Sequence, residues 1–353
     1  MVSVRHLVFA LALVGCGGAL DATPDAPVGS ATFLLTNARD LEGTPITLAV
    51  VDGSLVARDE LPPSAPRMDA EGATIVPAFV DAHVHLSYDP VAAEHAAGGI
   101  AVAIDLAAPI EALTSPGDPL LVLRSGPMIT SPNGYPLDSW GRAGFGIECA
   151  DASSCTARVD QLVTAGAAVI KVPIEDVGGL DDASLAAIGA RAHALHRLFV
   201  AHALTQMAVM RALRAGVDVL AHTPVTALDE TTLEALRGHA VISTLSAFGG
   251  VETLRALRAH GVDVVYGTDL GNTRTTGIDP DEIALLAAAG LDLAAIVEAA
   301  TATPARLFGL PRHGELSPGH AASFLLYRRA LTDPTQLASP DVVVLDGVVR
   351  QTR

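Results

Sequence analysis

Two histidines separated by one residue are the first side chains whose spacing suggests chemistry. His83 and His85 lie at the end of an apolar run that begins at Ile75. Residues two apart on a β-strand face the same side, so a strand over 75–85 would present both imidazoles together. Imidazole is a common ligand of zinc and other divalent metals. A His-x-His pair alone is a weak motif. It indicates a metal site only if other candidate ligands are expected at the same end of the fold.

Lys171 is the second candidate because it is the only lysine in the chain. All of the remaining 21 basic residues are arginine. Lys171 interrupts the apolar run 168–172, where an unpaired charge is costly, and a buried lysine can lose its proton whereas arginine cannot. A neutral amine can react with carbon dioxide to form a carbamate, whose two oxygens can bridge two metal ions. The alternative is an ion pair with a nearby carboxylate, Glu175 or Asp176.

Three more polar side chains come directly after apolar runs. His202 and His222 each follow a short hydrophobic segment, and Asp269 follows Gly267 and Thr268. Taken singly, each histidine is more typical of a core or loop residue, and Asp269 could cap a helix or turn. Their positions at the ends of neighbouring strands, in register with Lys171, favour metal ligation, with Asp269 also serving as a proton shuttle.

The elements that must position these residues alternate along the chain. Apolar β-type runs occur at 75–85, 100–104, 120–129, 167–172, 198–203, 217–221, 240–245 and 262–267. Helical segments between them include 181–196, 205–215, 230–238 and 251–260. Strand and helix alternating eight times predicts an α/β fold, a (β/α)8 TIM barrel, whose active site lies at the C-terminal ends of the strands.

The two ends of the chain have a different pattern. Residues 33–56 and 324–349 are β-rich with glycine turns and contain no convincing helix. We therefore predict that both ends pair into one small β-sandwich. The predicted divisions are a β-sandwich part at 31–74, the barrel at 75–310 and a second sandwich part at 311–353.

Composition limits the class of partner. The chain has 353 residues, of which half are hydrophobic, so it can bury a large core. It carries 39 acidic residues against 22 basic ones, which argues against nucleic acid as a partner and favours a small-molecule substrate. The composition leaves the oligomeric state open.

The first thirty residues predict export. A short polar start with Arg5 precedes the apolar run 7–14, which is typical of a signal peptide over 1–15. Leu13-Val14-Gly15-Cys16 resembles the bacterial lipobox, which implies lipidation of Cys16, and 16–30 has the composition of a tether. The expected location is periplasmic or cell-surface, with the chain anchored to the membrane through this lipid. An ordinary secretory signal is the alternative.

Export also bears on the two remaining cysteines. Cys149 and Cys155 lie six residues apart, and in an oxidising compartment we expect them to form a local disulfide. Two free thiols are the alternative. A structural zinc site is unfavourable, because two cysteines without a nearby histidine cannot fill four positions.

Taken together, the motifs closely resemble the amidohydrolase superfamily over nearly all of the mature chain, within the group of imidazolonepropionase-like and prolidase-like enzymes. The motifs that carry the resemblance are 77–85 (PAFVDAHVH), Lys171, His202, His222, 267–269 (GTD), 300–310 (ATATPARLFGL) and 314–319 (GELSPG).

The resemblance implies a ligand set and a reaction. His83, His85 and Asp269 would bind the more buried of two divalent ions, with zinc the default, and His202 and His222 the other. Carbamylated Lys171 would bridge them. A metal-bridging hydroxide would then hydrolyse the C–N bond of a cyclic amide, an N-acyl amino acid or a dipeptide-like substrate, and Asp269 would carry the proton to the departing nitrogen.

Two further residues concern the substrate, and the first departs from the family pattern. Many relatives place Gly-Gly-His after the third strand, where this chain has Tyr135 near Asn133 and Gly134. Tyr135 could replace that histidine as a donor to the substrate carbonyl, or be a packed loop residue. Arg274 could pair with a substrate carboxylate, or be a solvated loop arginine.

Other functions remain open on the sequence alone. The same site could act as a lactonase, esterase or phosphotriesterase, because metal-activated water accepts several electrophiles. A deaminase is less favoured, since mononuclear members generally lack the bridging lysine. A noncatalytic binding lipoprotein would have no evident reason to keep the complete ligand set.

Overall fold

A computed structural model describes residues 31–352. The predicted signal peptide, the predicted tether and Cys16 lie outside the described residues. Within the described range, no helix is long and apolar enough to span a bilayer.

The strands and helices alternate through the middle of the chain, as the sequence predicts. The strands are β1 (Phe33–Arg39), β2 (Pro45–Val51), β3 (Ser54–Val56), β4 (Arg67–Asp69), β5 (Thr74–Pro77), β6 (Phe79–Val84), β7 (Ile100–Asp105), β8 (Leu121–Arg124), β9 (Met128–Thr130), β10 (Gly146–Glu148), β11 (Val169–Pro173), β12 (Leu198–His202), β13 (Val219–Leu220), β14 (Ala240–Ile242), β15 (Asp263–Val265), β16 (Phe324–Tyr327), β17 (Val342–Leu345) and β18 (Val348–Thr352). The helices are α1 (Ala92–Ala97), α2 (Ala152–Ala165), α3 (Asp182–Ala194), α4 (Gln206–Arg214), α5 (Glu230–Ala235), α6 (Leu245–Phe248), α7 (Val251–Ala259), α8 (Pro280–Ala288), α9 (Leu293–Ala300) and α10 (Ala302–Leu307). Short 3₁₀ turns occupy Arg58–Glu60, Ile110–Ala112, Trp140–Ala143 and Pro334–Ala338.

Parallel strands form the frame of the site. β6, β7 and β8 pair in one sheet, and β11 to β15 pair in sequence order in another. Backbone hydrogen bonds join these two sheets, the two arcs of the frame, at both ends. At one end Ala168 N–H donates to the Arg124 carbonyl, and at the other Ala82 N–H donates to the Tyr266 carbonyl and His85 N–H to the Leu270 carbonyl. The result is an α/β, TIM-barrel-like arrangement. Continuous strand pairing around the ring is not found among the described residues, so a closed barrel is not confirmed.

Two of the predicted strands are each divided in the structure. The run 75–85 splits because the chain changes partner: β5 pairs with β16, whereas Phe79 N–H donates to the Gly99 carbonyl beside β7. The run 120–129 splits into β8 and β9 at Gly126, which has a positive φ of 74°. The following Pro127 cannot donate a ladder hydrogen bond. Of the run 75–85, only the part from Phe79 onward therefore belongs to the parallel frame.

Both chain ends do meet in one β-structure. The order is β18-β17-β16-β5-β1-β2-β3, with β4 paired to β1. Its apolar face is a core that includes Leu35, Val50, Phe324 and Val344. The pairing defines one eight-stranded sheet within the described residues, so the predicted two-sheet sandwich is not confirmed.

The helices begin where the sequence supplies caps. Asp151, Asp181, Thr205, Asp229 and Asp292 each accept a hydrogen bond from the N–H three residues later. The predicted helices at 181–196, 205–215, 230–238 and 251–260 are confirmed as α3, α4, α5 and α7. Each is somewhat shorter than its apolar pattern.

A loop between β9 and β10 stands over the end of the parallel strands. These two strands pair in parallel and enclose residues 131–145, which include Tyr135 and Trp140. Directly after β10, a disulfide joins Cys149 to Cys155 in the first turn of α2. The base of the loop is thus covalently tied to the helix that follows it.

Candidate metal centre

The predicted ligands gather at the C-terminal ends of the parallel strands. His83 lies on β6, Lys171 on β11 and His202 at the last residue of β12, while the others follow their strands within a few residues. They line one cavity of about 560 Å³, whose floor consists of His83, His85, Lys171, His202, His222 and Asp269. The topology therefore brings together residues that are as far as 186 positions apart in the chain.

Three of these side chains form the tightest group. The Oδ1 atom of Asp269 lies 3.0 Å from His85 Nε2 and 3.4 Å from His83 Nε2. One ligand atom from each residue falls within 4.8 Å of the others, which is compact enough to hold a metal ion. Asp269 Oδ1 and His83 Nε2 are also buried and make no well-aligned hydrogen bond, although Oδ1 lies within reach of His85 Nε2. Buried polar atoms normally have a partner, so these unsatisfied atoms fit a divalent cation.

The histidine tautomers also suit metal binding. The Nδ1 atom of His83 lies 2.8 Å from the Ala221 carbonyl, an acceptor, so Nδ1 carries the proton and Nε2 keeps its lone pair. His222 Nδ1 lies 3.0 Å from the Thr244 hydroxyl. The ring of His222 is 4.5 Å from that of His83 and 4.7 Å from that of His202. His222 thus stands between the first group and His202.

Lys171 lies in the same floor and is 1 % exposed. The alternative ion pair is not observed, since none of the ion pairs within residues 31–352 involves Lys171. Asp176 instead accepts a hydrogen bond from Thr205. Burial lowers the pKa of Lys171 to about 7, against the opposing charge of Asp269, so a large fraction of the amine is neutral near pH 7. Only the neutral amine can form a carbamate.

Burial sets the other ionisation states at the site. It lowers the pKa of His202 to about 3 and holds the pKa values of His83 and His222 well below the usual range. Burial would raise the pKa of Asp269, but the neighbouring His83 and His85 outweigh it and hold that pKa below its usual range. His83, His202 and His222 therefore offer neutral imidazoles and Asp269 a carboxylate, the forms that bind metal.

Asp269 is held in an uncommon backbone conformation. Its φ is +56°, in the left-handed region. Its N–H donates to the His83 carbonyl at 2.8 Å, and the Asn272 amide donates to Oδ2 at 3.1 Å. These contacts fix the Asp269 carboxylate beside the C-terminal end of β6. Asn272 was not among the predicted residues, and only its closeness to Asp269 in sequence could have suggested it.

A second buried carboxylate, Asp81, joins strand β6 to the segment that follows β15. Asp81 Oδ1 accepts from the backbone N–H groups of His83 and Thr268, at 3.1 Å each, and Oδ2 accepts from the Thr268 hydroxyl at 2.6 Å. The fully buried His95 of α1 lies 3.3 Å from Oδ2. The other ring nitrogen of His95 accepts the Gly277 N–H at 2.9 Å. This network positions the neighbours of two candidate ligands and was not anticipated from the sequence.

Aromatic side chains surround the floor. The Trp140 indole N–H donates to the Tyr135 hydroxyl at 3.2 Å, and the Tyr135 ring lies 5.6 Å from that of His202. Burial raises the pKa of Tyr135, so its hydroxyl stays protonated and can donate into the cavity. Tyr135 thus lines the cavity, and its role as a donor to the substrate carbonyl stays a prediction. Phe248 and Tyr88 also line the cavity and were not among the predicted site residues.

Arg274 lies at the rim of the cavity. Its guanidinium is 3.1 Å from Asp89, and its side chain is 73 % exposed. Glu175 is the other charged residue at the mouth and is also exposed. Arg274 is therefore both solvated and within the cavity lining, so either of its two sequence interpretations fits its position.

A buried glutamate supports the wall that carries Phe248. The carboxylate of Glu282 on α8 accepts from the N–H groups of Leu245 and Ser246, at 3.0 and 2.7 Å, and so caps α6. Burial raises the pKa of Glu282 from 4.5 to about 7, although those hydrogen bonds oppose the shift. A carboxyl whose pKa is higher in the folded state stabilises the fold fully below pH 4.5 and loses that contribution as pH rises through 7.

We therefore expect the free energy of unfolding of Glu282→Gln to depend less on pH than that of the parent. The difference between the two proteins should change by roughly 3 kcal/mol between pH 4.5 and 7.5, with the parent losing relative stability as pH rises. Urea unfolding at several pH values measures this slope. Parallel curves for the two proteins would show that Glu282 does not titrate in that window.

Comparisons with known proteins show the family and the fold of the chain. Residues 155–350 match the amidohydrolase family. An uncharacterized protein of Mycobacterium tuberculosis is 27 % identical over 355 aligned positions, covering 86 % of this chain and 92 % of the relative.

Solved structures show the same fold at low identity. The structure described as a putative prolidase from Bifidobacterium longum has a TM-score of 0.75 at 22 % identity, covering 90 % of this chain and 94 % of that one. The A. niger ochratoxinase has a TM-score of 0.73 at 17 % identity, covering 92 % and 96 %. With a family match over more than half of its length, the chain belongs to the amidohydrolase family.

Proposed function

We propose that this protein is a metal-dependent hydrolase that cleaves the C–N bond of an amide, such as a cyclic amide, an N-acyl amino acid or a dipeptide-like substrate. The observation that carries the proposal is the buried group of His83, His85 and Asp269, whose unsatisfied atoms face a cavity that also contains the only lysine of the chain. Similar solved structures are described as a putative prolidase and as a prolidase complexed with N-methylphosphonate-L-proline, which supports this choice.

The residues divide into two ligand groups in this proposal. His83, His85 and Asp269 would hold one divalent ion, His202 and His222 would hold the other, and Lys171 would supply its carbamate as a shared ligand. Zinc is the default metal for imidazole and carboxylate ligands. When bound, such ions supply Lewis-acid polarisation of a carbonyl and lower the pKa of water to about 7.

The chain's own residues handle the proton and the substrate. Asp269 is anionic and can take a proton at a carboxylate oxygen and pass it to the departing nitrogen. Tyr135 accepts from Trp140 and keeps its own hydroxyl proton to donate to the substrate carbonyl.

The wider architecture and location belong to the same proposal. We infer that the two parallel arcs form one (β/α)8 barrel and that the terminal sheet packs as its companion domain. We also infer export, a lipid anchor on Cys16 and a small-molecule substrate without nucleic acid as a partner. The acidic composition and the motif at 13–16 support these inferences.

The proposed function is tested by removing and restoring the metal. We expect chelation of the purified protein to abolish hydrolysis of N-acyl amino acids and dipeptides, and zinc, manganese or cobalt to restore it. Elemental analysis measures the bound metal, and a matched set of amides, esters and lactones measures the bond preference. The control is Asp269→Asn, which should keep the circular dichroism of the parent and lose hydrolysis.

Two results would contradict the proposal. A protein that binds no divalent metal under any loading condition cannot work in this way. A protein that binds metal and hydrolyses only the esters or lactones would move the function to the second class considered from the sequence.

A further inference from the structure

We propose that the amide substrate carries a flat, aromatic acyl group, which packs against Trp140 and Phe248. This inference rests on the proposed function and specifies its substrate class. It starts from the aromatic rings that stand over the two ligand groups of the floor.

The first ring stands beside His85. Trp140 lies 5.3 Å from the His85 ring between centroids, in an edge-to-face arrangement. Tyr88 and Phe145 each lie 5.6 Å from Trp140 and support it. Because the indole N–H is already bonded to Tyr135, Trp140 has no polar group left to offer a ligand. What it presents to the cavity is an apolar ring surface.

The second ring stands beside the other ligands. The Phe248 ring lies 4.5 Å from His222 and 6.1 Å from His202. Phe248 ends the short helix α6, whose first N–H groups are held by Glu282. Its position is therefore fixed by backbone contacts, so a ring is available there before any substrate arrives. Phe248 is half-buried and lines the cavity.

The rest of the wall is mixed: Tyr88 and Asn272 bring polar groups, of which the Asn272 amide already donates to Asp269. Met128 and Leu204 add apolar surface. The charged lining residues outside the floor, Glu175 and Arg274, are exposed at the mouth, where the amine portion of a substrate would remain. A volume of about 560 Å³ is within the range of drug-sized ligand sites. A planar aromatic group matches this wall because stacked and edge-to-face ring pairs add to the effect of burial.

The chain offers a direct reporter for this contact. Trp140 is its only tryptophan, so fluorescence excited at the red edge of the indole band comes from this wall alone. Benzoate, cyclohexanecarboxylate and acetate serve as probes, because each is the acid released from an amide and none can be hydrolysed further. Titrations use the zinc-loaded protein, and calorimetry measures the same affinities independently.

We expect benzoate to change Trp140 emission saturably and to bind about tenfold more tightly than acetate, with cyclohexanecarboxylate between them. Phe248→Leu keeps an apolar side chain but removes the ring, so it should lower the benzoate-to-acetate affinity ratio about fivefold. Phe308→Leu is the matched control, because Phe308 lines a separate cavity away from the candidate ligands. That control should keep the parent ratio.

The outcomes separate this inference from the proposed function. Equal affinities for benzoate and acetate in the parent, or a ratio that Phe248→Leu does not change, would overturn the aromatic substrate class even if amides are hydrolysed. Selective benzoate binding in a protein that hydrolyses no amide would support the aromatic pocket and contradict the proposed function. Amide hydrolysis that prefers benzoyl over acetyl substrates, with the preference reduced in Phe248→Leu, would support both.

Discussion

Lys171→Arg is expected to lose most of its bound metal and to hydrolyse amides about 1,000-fold more slowly than the parent. Arginine keeps a positive charge at this buried position, where the proposal requires an anionic bridging group. A single ligand change that removes several kcal/mol of transition-state stabilisation accounts for a rate loss of about this size. Elemental analysis and hydrolysis rates under saturating zinc measure the two effects.

Carbon dioxide provides the sharper form of this test. Carbamate formation requires it, so we expect the metal-free parent to bind less zinc in buffer depleted of carbon dioxide and to recover with bicarbonate. Lys171→Arg cannot form the carbamate, so its metal content should not respond to bicarbonate. A bicarbonate effect of equal size in both proteins would exclude Lys171 as its origin.

A folding defect must be distinguished from loss of the bridge. Arg124→Lys is a useful control for substitution near the same strands, because the Arg124 side chain donates to the Ser115 carbonyl and does not line the cavity. It should retain metal and activity. If Lys171→Arg retained its metal and its rate, the carbamate-bridged centre would be wrong, and a site built from His83, His85 and Asp269 alone would remain.

The candidate ligands were predictable because their identities are local signals. His83 and His85 are two apart on a strand, and Lys171 is the only lysine of the chain. Strand ends could also be inferred, since parallel strands with intervening helices place their C-terminal ends on one face. Residue type and element order therefore indicated which side chains meet before any distance was known.

The supporting contacts could not be predicted in the same way. Thr268, which follows β15, donates a hydrogen bond to Asp81 on β6. His95 lies beside Asp81 because α1 packs there. Phe248 reaches His222 because Glu282, 34 positions later in the chain, caps the helix that carries it. None of these pairs has a periodicity or spacing that marks it. They depend on how elements distant in sequence pack.

Some predicted strand boundaries were wrong for a related reason. Residues 75–85 form one largely apolar run in sequence, but the chain leaves the terminal sheet at Pro77 and enters the parallel frame at Phe79. Hydrophobicity records that both halves are buried, and it does not record which neighbour each half pairs with. The partner of a strand is set by tertiary topology.

Gly98→Ala is expected to destabilise the protein by about 3 kcal/mol, because it would force two backbone segments apart. A Cβ at position 98 would lie 2.3 Å from the Cα of Gly277 and 3.1 Å from its nitrogen. Gly98 has a φ of −82°, so alanine is conformationally acceptable there and the cost comes from the contact alone. Thermal unfolding should show a melting temperature lower by about 6 °C.

The contact at Gly98 also concerns the loop that follows β15. The Gly277 N–H donates to His95, and the Ile278 N–H donates to the Gly98 carbonyl at 3.2 Å. The loop that includes Asp269 and Asn272 is therefore anchored against α1 at this one close approach. Displacing it should lower zinc affinity as well as stability, since the Asp269 carboxylate would lose its fixed position.

Gly309→Ala separates crowding from backbone strain. Gly309 has a φ of +65°, and no atom lies within 4 Å of the position its Cβ would take. Alanine there bears only the cost of a left-handed conformation, about 1 kcal/mol, and should leave zinc affinity unchanged. If Gly98→Ala proved no more destabilising than Gly309→Ala, the backbone of the 271–278 loop would have to be free to move. The anchoring of Asp269 would then rest on the hydrogen bonds of Asp81, Asn272 and His83 alone.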